Sequence, residues 1–170
     1  DMEAGDTTRL TMCWGIGVLI SMLLSGLVLV NKFGYLNILR TGIIISILVF
    51  IGVIGVGLAG KPEIFRMVVL VMGLGTGLAG AGMLSCVINF TTVIRAGMLM
   101  GVWGMANLLG KAAGSFFGGI IVDVMLLATD NAFLSYAAVF LMEIIFLVIA
   151  FVLTRKLDVK ASLAHQEVVG

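Results

Sequence analysis

Residues 97–126 read GMLMGVWGMANLLGKAAGSFFGGIIVDVML, thirty positions in which only Lys111 and Asp123 are ionisable. A bilayer hydrocarbon core of about 30 Å requires roughly 20 predominantly apolar residues from a helix, so the stretch reads as a membrane span. Four further apolar runs accompany it, and the polar residues between them predict helices at 10–30, 37–59, 64–88, 97–126 and 131–154. Only 11% of the 170 residues are charged and the mean hydropathy is +1.24, far from the roughly one-quarter charged composition of a soluble domain. The expected fold class is all-α: a polytopic membrane protein with five transmembrane helices. An outer-side segment at 1–9 precedes the helical region at 10–154, and a cytoplasmic C-terminal tail follows at 155–170.

Composition also excludes functions. The formal charge is +1 and no clustered basic face is present, so nucleic acid is not an expected partner; the lipid bilayer is. His165 is the one histidine and lies in the polar tail, so neither a histidine-bound zinc nor a Ser-His-Asp triad can be assembled, and no enzyme or metal site is expected. Cys13 and Cys86 fall inside apolar runs, where cysteine behaves as a small hydrophobe. The chain opens without Met and without the basic-then-apolar order of a signal peptide, as a piece of a longer protein would.

Polar residues mark the helix ends. Thr7 and Thr8 precede the first run, Pro62 the third, and Asp130 with Asn131 the fifth. Arg9, Lys61 and Arg66 fall on one side of the membrane. Lys32, Arg40, Arg95, Arg155, Lys156 and Lys160 fall on the other, which the positive-inside rule makes cytoplasmic. Trp14 and Trp103 read as interfacial anchors near helix ends.

Glycines are placed with a period. Gly110, Gly114 and Gly118 recur every four positions on the fourth helix, and Gly73 with Gly77 on the third, forming small-residue faces that let helix backbones approach in lipid. Gly75-Thr-Gly77-Leu-Ala-Gly80 satisfies GxGxxG, but it lies mid-span without the strand that a dinucleotide site requires.

Ionisable groups inside the hydrocarbon cost about 2.5–3.5 kcal/mol on insertion scales, so Lys111, Asp123 and Glu143 are candidate functional residues. At about 1.5 Å per residue, Lys111 lies roughly 21 Å from the cytoplasmic start of its helix and Glu143 roughly 16 Å from the cytoplasmic end of the next. They are near in depth, and would pair if their faces agree. Asn107 sits one turn from Lys111 on the same face. A structural ion pair, a polar contact to substrate or pigment, and a proton relay all remain open for this trio, while Asp123 is placed to reach interfacial water.

Asn31-Lys32-Phe33-Gly34, followed by Arg40, connects two helices on the cytoplasmic side. It resembles the loop between the second and third helices of each half of major facilitator superfamily transporters, with Lys32 and Gly34 matching and Asn31 standing where Asp is usual. Thr7-Thr8-Arg9-Leu10-Thr11 with Trp14-Gly15-Ile16-Gly17, and Arg95-Ala-Gly97-Met-Leu-Met-Gly101-Val-Trp103-Gly104, resemble the PucC/LhaA-type light-harvesting complex assembly proteins, the bacteriochlorophyll delivery branch of that superfamily. The resemblance runs from about Thr7 to Leu153.

It implies five helices forming most of the C-terminal half of a major facilitator fold, with the N-terminal half of the same protein as a partner. It further implies an antenna assembly factor in a bacterial photosynthetic inner membrane. Its partners would be antenna polypeptides or a reaction-centre complex, with (bacterio)chlorophyll transiently bound as a cofactor. Two other readings stand beside it: a secondary transporter of an amphiphilic small molecule, and a structural subunit of a photosynthetic complex.

Overall fold

The computed structural model describes residues 4–59, 62–89 and 96–156. Helix α1 (Ala4–Leu24) continues through a π-helical segment, Ser25–Leu29, into α2 (Val30–Phe33); α3 covers Tyr35–Ala59, α4 Pro62–Asn89, α5 Ala96–Thr129 and α6 Ala132–Lys156. Among the described residues, five stretches are long and apolar enough to cross a membrane: Thr8–Phe33, Tyr35–Leu58, Ile64–Asn89, Ala96–Thr129 and Ala132–Lys156. The fold is an all-α polytopic membrane bundle. Its span limits fall within a few residues of those predicted from hydropathy.

Helix ends follow local chemistry. Thr7 and Thr8 lie inside α1, which starts upstream of them at Ala4. Pro62 opens α4, at a position whose N–H would have no helical partner. Gly34 separates α2 from α3 at φ 79°, a region that residues with a Cβ rarely adopt. At the α5–α6 turn the two polar residues divide the work. Asp130 takes a left-handed conformation, φ 49°, while the Asn131 carboxamide oxygen accepts from the N–H groups of Phe133 and Leu134 at 3.0 and 3.3 Å.

Spatial order differs from chain order. Helix α4 lies between α1 and α3; α3 also packs on α6, and α6 on α5. Lipid is as apolar as leucine, so helix association here relies on close packing instead of on hydrophobic burial. Glycines on two faces of α4 provide it. Toward α1, a Cβ added at Gly73 would strike the Trp14 carbonyl oxygen and lie 3.1 Å from Gly17 Cα; one added at Gly77 would lie 2.6 Å from the Val18 carbonyl oxygen. Toward α3, a Cβ at Gly75 would come within 3.2 Å of the Ser46 amide nitrogen, and one at Gly82 within 2.6 Å of that of Leu39. The GxGxxG run is therefore a two-sided packing surface, with Gly75 serving α3 and Gly77 serving α1.

Buried residues concentrate at these contacts, with Ile38, Leu39, Ile43, Val49 and Val53 on α3 and Val69 and Ala81 on α4. The buried hydroxyls of Ser46 and Ser135 bond back one turn, to the Gly42 carbonyl at 2.9 Å and to that of Asn131 at 3.0 Å, whereas the Ser25 hydroxyl in the π-helical segment is buried without a partner among the described residues. Helix α5 contrasts with the rest: none of its described residues is buried.

Candidate functional site on α5

Helical periodicity places Trp103, Asn107, Gly110, Lys111, Gly114 and Gly118 along one face of α5. Asn107 and Lys111 are exposed on it. A Cβ added at Gly110 or Gly114 would meet nothing within 4 Å, whereas one at Gly118 would lie 3.9 Å from Val139 Cγ1 of α6. The face is thus bare over the two turns around Lys111 and closes onto α6 only near Gly118.

The Gly118–Val139 approach sets the antiparallel register of α5 against α6. In that register Glu143 stands opposite about residue 114, so Lys111 is offset from it by about 4.5 Å along the bundle at 1.5 Å per residue. Depth agrees, but contact is not made. Among the described residues no ion pair joins Lys111 to Glu143, which is half-buried on α6, and Asp123 is exposed near the far end of α5. The surface presented is a short polar pair, carboxamide and ammonium, beside a flat strip of glycine.

Trp103 sits differently from an interfacial anchor. Its indole Nε1 is shielded and has no acceptor among the described residues, although an anchoring tryptophan turns that N–H toward water.

The connection at Asn31–Gly34 is shorter than a loop. Asn31 and Lys32 occupy the last turn of the first span, with Lys32 Nζ 5.6 Å from the Phe33 ring centroid, and Gly34 alone reverses the chain. Arg40 is turned inward, where its Nη2 donates to the Thr154 carbonyl oxygen at 2.8 Å and its Nε is buried without an acceptor among the described residues. Arg95 lies outside the described residues. The Arg40–Thr154 bond joins positions 114 residues apart and had no sequence signal. Gly75 and Gly82 carry the same small-residue signal on α4 as Gly73 and Gly77, and Gly42 answers them from α3, where an added Cβ would strike the Ala79 backbone.

Stacked apolar helices packed through glycine, one of them bare and carrying a lysine at mid-span, define an integral membrane protein whose exposed α5 face is its candidate binding surface. The PUCC protein family model matches residues 1–162, and the chain belongs to that family. It is 26% identical over 133 residues to an uncharacterized protein in the puhA-bchM intergenic region of Rhodobacter capsulatus, covering 78% of this chain and 28% of that protein. It is also 26% identical over 150 residues to protein PucC of Cereibacter sphaeroides, covering 86% of this chain and 33% of that protein. The chain therefore spans about a third of the length of these relatives. No solved structure matches it.

Proposed function

We propose that this chain is the C-terminal, facilitator-like portion of a light-harvesting antenna assembly factor. It would help (bacterio)chlorophyll or antenna polypeptides into their complexes without catalysing a reaction. The PUCC family match over residues 1–162 carries the reading. The excess of Lys and Arg at the Lys32, Arg40 and Arg155 end supports a cytoplasmic C-terminus, in the inner membrane of a photosynthetic bacterium.

The α5 face fits a flat, lipid-soluble pigment in two respects. Gly110 and Gly114 leave room for a macrocycle to lie against the helix, because no neighbouring side chain comes within 4 Å of a Cβ added at either position. Magnesium prefers oxygen donors where imidazole is absent, and the five spans contain no histidine, so the Asn107 carboxamide oxygen is the ligand at hand. Lys111, one turn away, would donate to a carbonyl oxygen on the pigment periphery or to a carboxylate of an antenna polypeptide. A bound pigment would supply light absorption; these residues hold and orient it.

Gentle purification of the complete protein from photosynthetic membranes tests the reading. The absorbance spectrum should carry co-purifying (bacterio)chlorophyll, and antenna polypeptides should accompany the protein. A pigment-free preparation without antenna polypeptides, together with unchanged antenna content in a deletion strain, would refute it.

A further inference from the structure

An apolar crevice of about 160 Å³ lies between α3, α4 and α6, with Val53, Ile54, Phe65, Tyr136, Ala137 and Phe140 among its walls. Its construction is specific. At the upper end the Phe133 ring covers Gly57, where a Cβ would come within 2.5 Å of the ring edge, so glycine is what allows the aromatic to lie across α3. At the lower end Phe140 stacks on Phe50, centroids 5.7 Å apart, and forms a floor. Tyr136, 57% exposed, stands at the rim and leaves the crevice open to the side.

Size and depth select the occupant. An apolar cavity of roughly 150 Å³ accepts a benzene-sized molecule, so the space between these walls matches a short hydrocarbon segment. From Phe133 to Phe140 the crevice descends about 10 Å along α6 at 1.5 Å per residue, starting one residue inside the end of that helix. That is the depth occupied by the upper part of a lipid acyl chain whose headgroup lies at the α3–α4 end of the bundle. Leaving the crevice empty would forfeit the dispersion contacts of the Phe65, Phe133, Tyr136 and Phe140 rings. Water is no substitute, because the lining offers it almost no polar partners.

We infer that the crevice is a binding site for one acyl chain of a bilayer phospholipid in the leaflet at the α3–α4 end, held between the Phe133–Gly57 lid and the Phe140–Phe50 floor.

The test uses the complete protein in nanodiscs of phosphatidylcholine containing a trace of phosphatidylcholine with a diazirine in the upper half of one acyl chain. After photolysis, mass spectrometry should find Ala137, Ile54 and Tyr136 labelled several-fold more than Leu134 and Leu141, which are exposed on α6 at bracketing depths. Ala137→Phe, which fills the crevice, should bring labelling of Ile54 and Tyr136 down to the level of those controls. If Ala137→Phe does not fold, Ala137→Leu provides the same comparison with less added volume. Labelling of Ala137 and Ile54 no greater than at Leu134 and Leu141 would overturn the assignment, as would labelling that the filled variants leave unchanged. A segment of the protein or of a partner seated in the crevice would give the first of these results.

Discussion

Arg40, one and a half turns into α3, donates from Nη2 to the carbonyl oxygen of Thr154, in the last turn of α6. The last carbonyls of a helix have no intrahelical donors and carry the negative end of its dipole, so a guanidinium there answers both. One side chain thereby fastens α3 to α6 at the end of the bundle opposite the crevice.

Arg40→Ala should accordingly destabilise the protein by about 1.5–3 kcal/mol, the range for hydrogen bonds involving a charged group. Arg40→Lys, which keeps the charge and loses the fork, should fall between the two. Thermal unfolding in a mild detergent checks this, and an alanine variant that melts with the parent would mean that the bond contributes nothing.

Glycines on α4 and on α5 should respond differently to the same change. Gly77→Ala places a methyl within 2.6 Å of the Val18 carbonyl oxygen and should cost about 1–3 kcal/mol through backbone displacement between α1 and α4. Gly114→Ala meets nothing within 4 Å and should leave stability unchanged or slightly improved, since alanine favours the helix over glycine by about 1 kcal/mol. Protease resistance of the two variants separates the cases. Equal sensitivity would show that α4 does not depend on its glycines.

The α5–α6 turn offers a smaller effect. Asn131→Ala removes the acceptor for the Phe133 and Leu134 N–H groups and should cost about 1 kcal/mol, while Asn131→Asp should retain most of the cap. Asp130→Gly, at a positive φ, should be neutral or stabilising. Melting temperatures of the three variants decide; an Asn131→Asp variant no more stable than Asn131→Ala would argue against capping.

Lys111→Leu should reduce antenna accumulation in cells more than Lys32→Ala does. The leucine variant removes an insertion penalty of about 2.5–3.5 kcal/mol at the bilayer centre, so better membrane insertion combined with poorer antenna assembly would separate function from folding. Quantifying antenna absorbance per cell beside the level of the protein in membranes makes the measurement. Antenna content in the leucine strain equal to the parent's would remove Lys111 from the site.

Class, span number and span limits were legible in the sequence, because the length and apolarity of a segment are local properties that a bilayer reads one helix at a time. The cap at Asn131 and the mid-span position of Lys111 were legible for the same reason. The order α1–α4–α3–α6–α5 was not. Each span is predominantly apolar, so hydropathy does not separate a face turned to protein from one turned to lipid, and the choice falls to how two surfaces fit. Gly75 and Gly77 are two residues apart yet serve different neighbours, Arg40 finds its carbonyl 114 residues away, and Phe133 covers Gly57 only because α6 crosses α3. These are properties of pairs of helices. They exist only once both are in place, which is why tertiary structure alone decided them.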